Sequence, residues 1–558
     1  MDVEFERITP SVETFPNRGP FGLTLSFINL AALKSIAPGV KYVEEPDEFQ
    51  EPSQLPPLAR GRIVPPVIAP AAPAPPKQEV EENDGSVPDT SVHVSLDFDI
   101  SKADLEARDL GIAASHSHLI IASSHRISFW SKNGTLLKAL RAVDFFEWVK
   151  EDMNKVLKDP ADNTKLTYPV KEFYDTRVIF DTYRNRFWIL CIARNLGPGA
   201  DKKYRVTATA VAVSKTENPL DGWLSYWWTP VRDYESIGIS QKLLVIGGYT
   251  TFEQWHDTVQ VVKADPLATG TSSLQGYTLS ELKNPDGTNA NFLQPALQHG
   301  ASPENTHFLV NTSADDTLVV WGIDPEHPTD LYRAGVPVVR WVDPKLAEQR
   351  SHTELAHPCL IHPVKAGAII LKAVFRNEKL HVCWQDSKPD DTRQLRFIRL
   401  ARVNVSYFPK GIPIGAGSGL IDRRFGKNAI SDAAGVVCSY YMPTLAVNAD
   451  GTIILNYCRC GPDVFPEARY SLYLSSDADI QPSRLIHKGA YPVGSEDPDW
   501  NLPIDKRTPV GIVDYVGIAV DPSDDRTAWI INVYGNKGET GVGQYKLVVR
   551  RIVLTKPS

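Results

Sequence analysis

One two-strand phrase recurs seven times along this sequence, and the recurrence restricts the folds that the chain can adopt. Each copy has a polar or aromatic start, a short alternating strand, a turn of a few residues and a second strand rich in apolar residues. The copies begin at residues 109, 174, 233, 302, 371, 441 and 514, with starts 59 to 73 residues apart. A near-constant interval of this kind is typical of a repeat architecture.

Each copy needs further strands, because an isolated two-stranded hairpin is only marginally stable. The interval leaves room for two more strands, and four-stranded sheets arranged radially bury their faces against one another. We therefore predict an all-β fold, a β-propeller of seven blades with six as the alternative, over residues 93–558. The strand at residues 545–554 is expected to complete the first blade and close the ring. An array of β-sandwiches fits less well, because such domains need about 100 residues each.

One segment departs from the strand pattern. Residues 143–159 carry apolar side chains at helical spacing, namely Phe145, Trp148, Val149, Met153 and Val156. This spacing predicts a helix inserted between two blades.

Two regions precede the predicted propeller. Residues 1–50 form an arm of mixed apolar and acidic composition, and residues 51–92 form a Pro-rich and acidic linker. Proline fixes φ and removes amide donors, so we expect the linker to be extended. Within the arm, residues 21–33 are predicted to dock as an added strand or short helix. Another subunit and the chain's own propeller are equally open as docking sites.

Charge and composition exclude some partners and leave others open. The net charge of -8 argues against a general binder of nucleic acid or anionic membranes, both of which require a positive face. Residues 21–33 are too short and too polar to span a bilayer. The N-terminal residues lack the basic and apolar regions of a signal peptide. The sequence alone therefore leaves the localisation unknown.

The six cysteines lie mainly in apolar strand-like runs, so we expect buried free thiols. Cys458 and Cys460 share one strand face, where one of them could form a disulfide with Cys438. No second Cys pair or His cluster at zinc spacing is found.

Several phrases resemble the sialidase-like β-propeller proteins. They include YDTRVIFDTYRNRFWIL, VAVSKTENPLDGWLSYWW and DYVGIAVDPSDDRTAWI, and the resemblance covers most of residues 105–555. It implies a propeller fold, carbohydrate chemistry and an extracellular, surface-associated or particle-associated location. The Asp-box turns of that family are decayed here, as at residues 475–480. An arginine triad with a Tyr/Glu nucleophile is not identified, so no catalytic residue is carried over.

Two groups of residues are candidates for ligand binding. Arg177 lies close to Arg184 and Arg186, and arginine forks grip a sugar carboxylate. The alternative, which the pattern favours, is a hairpin turn stabilised by local ion pairs. Trp227 and Trp228 could stack on sugar rings. Core packing is again the favoured alternative, although one of the two rings should be more exposed because adjacent strand residues point in opposite directions.

Carboxylates and histidines supply the remaining candidates. Asp233 and Asp514 stand at strand starts, so they would lie near the axis as weak candidates for catalysis. Asp521 and Asp525 lie in an acidic loop that could hold a structural calcium ion, although a solvated turn is favoured and no other cofactor is expected. His116, His118 and His125 could provide metal ligands, but the sequence shows no third ligand for the pair that shares a strand face.

Two functions are consistent with these features. The first is a non-enzymatic propeller that binds a glycan or a protein and is tethered through its arm. The second is a carbohydrate-active enzyme, a glycosidase or polysaccharide lyase, which would need carboxylates facing each other across a cleft. A channel lined by Val, Ile, Ala and Gly would favour the first function. A central pocket with two facing carboxylates or clustered arginines would favour the second.

Overall fold

The structure is a computed structural model of the chain. It describes residues 2–15, 26–28, 30, 33, 92–95, 100–103, 105–158, 163–195, 207–228, 233–250, 256–270, 276–314, 316–341, 347–349, 359–361, 369–387, 396–414, 418–425, 438–477, 479–493, 515–538 and 543–554.

Within the described residues, the main strands form seven consecutive four-stranded antiparallel units, here called blades 1 to 7 and described from the innermost strand outward. Blade 1 is Gly111–Ala114, His118–Ser123, Arg126–Ser131 and Leu136–Arg141. Blade 2 is Val170–Asp181, Arg186–Asn195, Thr207–Ser214 and Trp223–Trp228. Blade 3 is Asp233–Ile239, Leu243–Thr250, His256–Lys263 and Gly276–Ser280. Blade 4 is Gln294–Pro295 with Leu297–His299, then His307–Ser313, Thr317–Ile323 and Leu331–Pro337.

The remaining blades follow the same pattern. Blade 5 is Ile370–Arg376, Lys379–Asp386, Phe397–Asn404 and Ile421–Phe425. Blade 6 is Ser439–Val447, Ile453–Gly461, Val464–Tyr473 and Arg484–His487. Blade 7 is Gly517–Val520, Ala528–Lys537, Gly543–Leu554 and Val92–Ser95. A further short pair joins Ala347–Gln349 to Cys359–Ile361.

Hydrophobic clusters at seven successive interfaces close the blades into a ring. One cluster lies between each pair of blades that follow each other in the chain. The cluster that completes the circle packs Ile112 and Leu119 of blade 1 against Trp529 and Ile531 of blade 7. The predicted all-β propeller is therefore confirmed.

Five blades form sheets of their own, and blades 3 and 5 belong to one ten-stranded sheet. The strand Leu297–His299 of blade 4 causes this fusion, because it pairs in parallel with the inner strands of both neighbours. The inner strands of successive blades thus run side by side around the axis.

The two-strand phrase that recurs in the sequence corresponds to one hairpin of each blade. This hairpin joins the first and second strands of a blade, except in blade 4, where it joins the second and third. In three blades a tryptophan near or within the later strand donates its indole N–H to a polar side chain across the hairpin. In these three blades the bond fixes the hairpin from within. The pairs are Trp188 to Asp181 at 3.4 Å, Trp321 to Asn311 at 2.8 Å and Trp529 to Asp521 at 2.9 Å.

Two details differ from the prediction. The phrase beginning at residue 302 supplies the second and third strands of blade 4, whose inner strand Gln294–Pro295 is only two residues long. The C-terminal strand Gly543–Leu554 does not complete the first blade: it pairs with Ala528–Lys537 in its own blade. The ring is closed instead by Val92–Ser95, which joins blade 7 as its outermost strand.

The N-terminal arm runs along the outer rim of this chain's own propeller. Its strands Glu6–Ile8, Ser11–Phe15 and Ser26–Ile28 extend the outer edges of blades 4, 3 and 2 in that order. Leu30 is buried in the cluster between blades 1 and 2. The sequence left open whether the arm docks on another subunit or on the chain's own propeller. The described strands of the arm dock on the chain's own propeller. The predicted linker, residues 51–92, lies outside the described residues except for its last residue, Val92.

The predicted inserted helix is present as two segments, Ala142–Phe145 and Glu147–Val156, between blades 1 and 2. Its apolar face, with Val149 and Met153, packs into the cluster between those blades. A third short helix, Ala264–Thr269, lies in blade 3. Among the described residues, no helix has the length and apolarity that a bilayer crossing requires.

Every cysteine whose side chain is described is buried. Cys458 and Cys460 are free thiols, so the suggested disulfide of either one with Cys438 is wrong. Each sits inside the packed core of its sheet, where burial raises the pKa of the Cys458 and Cys460 thiols and keeps them protonated.

Candidate functional site

A narrow channel follows the propeller axis and is lined by the inner strands. Most of its lining side chains are aliphatic, and its volume of about 40 Å³ holds a few water molecules. Among the described residues that line it, no carboxylate is present. The aliphatic lining residues are Ile112, Ala113, Ala114, Val178, Ile179, Leu297, Val374, Leu445, Ala446, Val447, Ile518, Ala519 and Val520.

Two ionisable side chains interrupt this lining. Lys372 and His299 are both half-buried and face the channel. Burial, and next the positive charge of Arg177, lower the pKa of Lys372 to about 8. Burial and the charges of Arg376 and Lys372 lower the pKa of His299 to about 3, so His299 is neutral at pH 7.

The end of the channel at which the inner strands begin is here called the upper end. Four of the described inner strands carry a β-bulge towards this end. Bulges re-aim side chains and often flank functional sites. Beside two of them the backbone adopts positive φ without glycine, at Asp175 (φ 53°) and Met442 (φ 51°). The register breaks lie between Tyr174 and Arg177, Asp233 and Ser236, Ile370 and Lys372, and Tyr441 and Thr444.

Arg177 is the first paired residue after the bulge in blade 2. Its guanidinium lies 3.1 Å from the ring centroid of Tyr515 in blade 7, and its Nε donates a 3.0 Å hydrogen bond to the Glu235 carbonyl oxygen in blade 3. Arg177 thus spans three blades near the axis and takes no part in the hairpin turn. The sequence predicted ion pairs within the hairpin turn. Arg184 forms such a pair, with its guanidinium 2.8 Å from Asp181.

A buried charge network joins blades 1 and 2 at the same end. The two ring nitrogens of His125 lie 3.0 Å from a Glu106 oxygen and 3.1 Å from a Glu172 oxygen. Arg194 holds the other oxygen of Glu172. The two carboxylates raise the pKa of His125 to about 10 against the effect of burial, and bonds from His125 and Arg194 lower the pKa of Glu172 to about 2.

Neither tryptophan proposed for sugar stacking presents a ring to solvent. Trp227 and Trp228 are both 0% exposed, so the expected difference in exposure between them is wrong. Both faces of a blade pack against neighbouring blades, and adjacent residues therefore enter two different cores. Trp227 donates to Asp152 at 2.8 Å in one, and Trp228 donates to Gln260 at 2.8 Å in the other.

Of the four acidic candidates, Asp521 and Asp525 have described side chains. Asp233 begins the inner strand of blade 3, and Asp514 lies outside the described residues. Asp521 is buried and accepts hydrogen bonds from Lys132 and Trp529. Asp525 pairs with Arg376. The two candidates for calcium binding are thus each held by a cationic side chain.

The three neighbouring histidines are also separated. His116 pairs with Glu217, and His118 hydrogen bonds to Ser117 at the lower end of blade 1. His125 lies at the opposite end of the same blade, because one strand separates it from His118. In the part of the chain that the structure describes, no three His, Cys, Asp or Glu side chains are placed to hold a metal ion.

Sequence reasoning missed Lys372 and the carboxylate partners of His125. A signal for Lys372 exists: LKAVF and DTRVIF each place a cation directly before a three-residue apolar run of an inner strand. Glu106 and Glu172 give no such signal, since they lie 19 and 47 residues from His125 and meet it only in the folded ring.

Comparisons with known proteins identify no family. No protein-family model matches the sequence, and no curated protein matches it. Among solved structures, a Trypanosoma rangeli sialidase matches with TM-score 0.30 and 8% identity, over 80% of this chain and 54% of the sialidase, about half of its length. An ulvan lyase, described as a new family of polysaccharide lyase, matches with TM-score 0.35 and 8% identity over 81% of this chain and 93% of the lyase. A Synechocystis apocarotenoid oxygenase matches with TM-score 0.33 and 8% identity, over 68% of this chain and 74% of the oxygenase. Similarities this weak carry no inference about activity.

Proposed function

We propose that this protein is a non-enzymatic β-propeller that binds a glycan or a protein partner. The observation that supports this function is the axial channel, which is narrow and aliphatic, with no carboxylate among the described residues lining it. Glycosidases place two carboxylates across a cleft that admits the sugar. Recognition would therefore take place on the faces of the disc.

The arm fits this proposal as an intramolecular strap. Phe5 packs edge-on against Phe408 with ring centroids 5.0 Å apart, and Ile8 and Leu30 contact two further inter-blade clusters. By pairing with three outer edges, the arm also covers backbone groups that would otherwise be open to other chains. A rigid, edge-protected ring is suited to presenting a binding face.

A glycan array combined with a panel of chromogenic sugars tests the proposal. We expect binding to a restricted set of glycans, or to a protein partner, without release of chromophore. Turnover that disappears in Asp233→Asn or Asp514→Asn would instead establish the alternative, a carbohydrate-active enzyme. Asp316→Asn, in an exposed turn of blade 4, is the matched control and should behave as the unmodified protein does.

A further inference from the structure

We propose that Lys372 is a modification site, at which carbon dioxide adds to the side-chain amine inside the axial channel and forms a carbamate. The reactant is thus a small, uncharged gas, and the inference does not depend on the proposed binding function. Three features carry it: the lack of an anionic partner for the Lys372 ammonium group, a fixed positive charge near it, and the small aliphatic cavity that it faces.

The Lys372 ammonium group has no anionic partner in the part of the chain that the structure describes. It lines the channel, yet it donates no hydrogen bond and forms no ion pair with any described residue. Opposite it in the strand ladder stands Cys383, whose thiol is kept protonated by burial. The neighbouring Arg376, in contrast, is paired with Asp525. A half-buried ammonium group without a counter-ion is unfavourable, so loss of its charge is favoured.

Arg177 provides the fixed positive charge near this lysine. Its guanidinium is already engaged by the Tyr515 ring and the Glu235 carbonyl oxygen, which hold it in place. Burial, and next the charge of Arg177, lower the pKa of Lys372 to about 8. Relative to the ordinary value of 10.5, this raises the uncharged fraction of the amine about 300-fold at pH 7. A lysine desolvated next to another cation is an activated nucleophile, because the uncharged amine is the form that attacks.

The cavity determines which electrophile can reach the amine. Its volume of about 40 Å³ has room for about three water molecules, and its walls are mainly aliphatic. Carbon dioxide is linear, uncharged and of comparable size, so it can enter without losing hydrogen bonds to water. Larger acyl donors do not fit beside Lys372.

The reaction balances without any further reagent. The nitrogen lone pair of the uncharged amine attacks the carbon atom of carbon dioxide and forms a C–N bond. One C–O π pair moves onto oxygen, and one proton leaves the nitrogen for water, so the products are a carbamate anion and a proton with no change of oxidation state. An anion then replaces a cation near Arg177, and a repulsion becomes an attraction. A small aldehyde would give an imine whose protonated form keeps the positive charge, so it would not gain this attraction.

Carbon-13 NMR of the full chain in labelled bicarbonate tests the site. We expect a carbamate signal from the unmodified protein that is lost in Lys372→Met. The matched control is Lys546→Met, which removes an exposed lysine of blade 7 and should leave that signal unchanged. Identical carbamate signals from Lys372→Met and the unmodified protein overturn the proposal.

Chemical trapping locates the carbamate in the unmodified protein, so it does not depend on the folding of a variant. Triethyloxonium converts a carbamate into a stable ethyl ester, and peptide mass spectrometry should find this ester at Lys372. Trapping that labels other lysines but not Lys372 overturns the proposal.

The pH dependence of trapping gives a second readout. At a fixed pressure of carbon dioxide, the yield at Lys372 should rise with pH, most steeply below about 8, where the ammonium group must first lose its proton. The other groups that act on this lysine keep their charge over this range: the pKa of His299 is lowered to about 3, burial raises the pKa of Cys383, and arginine stays protonated. A yield that does not change between pH 6 and 8 contradicts the assignment.

Discussion

Replacement of His125 by glutamine should destabilise the ring in a way that depends on pH. The imidazolium lies between Glu106 and Glu172 with only 10% of its side chain exposed. Its pKa rises from 6.5 to about 10 on folding, and each pKa unit corresponds to about 1.4 kcal/mol. The shift therefore corresponds to a contribution of at most about 5 kcal/mol to the free energy of unfolding. Glutamine restores part of the hydrogen bonding, so we expect His125→Gln to lower the free energy of unfolding by about 3 kcal/mol.

The sign of the pH dependence follows from the direction of each shift. Because the pKa of His125 is raised, its stabilisation is complete below pH 6.5 and is lost as the pH rises to about 10. Because the pKa of Glu172 is lowered from 4.5 to about 2, its stabilisation is complete above pH 4.5 and is lost as the pH falls towards 2. The network therefore stabilises the fold most between pH 4.5 and 6.5.

Thermal unfolding at several pH values measures this effect. A domain of this size has an unfolding entropy of about 1 kcal/mol/K, so His125→Gln should lower the melting temperature by about 3 °C at pH 6. The difference should shrink above pH 6.5 and vanish near pH 10. His327→Gln, which changes a histidine that is 70% exposed, should shift the melting temperature by less than 1 °C. The reasoning would be refuted if His125→Gln lowered the melting temperature equally at pH 6 and pH 10. It would also be refuted if His125 titrated below pH 7 in the folded protein.

Three further substitutions test the ring, the strap and the core. Gly517→Val should lower the free energy of unfolding by about 2 kcal/mol or more in denaturant titration, because an added Cβ would lie 2.9 Å from the Ile112 backbone nitrogen where the last and first blades meet. Phe5→Ala should lower the free energy of unfolding by about 1 kcal/mol, because the contact with Phe408 is lost. It should also speed amide hydrogen exchange at the outer edge of blade 4. Unchanged exchange at that edge would contradict the role of the arm as a strap. Trp227→Phe should cost about 2 kcal/mol through a cavity and a lost indole hydrogen bond, and unaltered glycan binding by a folded variant would agree with its core position.

The sequence by itself determined the repeating unit and therefore the fold. Alternating apolar residues and turn residues act over a few positions, so the recurring hairpins were readable without tertiary information. The inserted helix was readable for the same reason, since Val149 and Met153 follow the helical period.

Only the tertiary structure decided which faces are buried and which charges meet. Trp227 and Trp228 are both buried because a blade is covered on two sides, whereas strand alternation alone suggests one covered face. Ring closure by Val92–Ser95 and the meeting of His125 with Glu172 join residues distant in sequence. Lys372 reaches the axial channel because the folded ring brings inner strands of different blades around one axis, and no local sequence pattern encodes that placement.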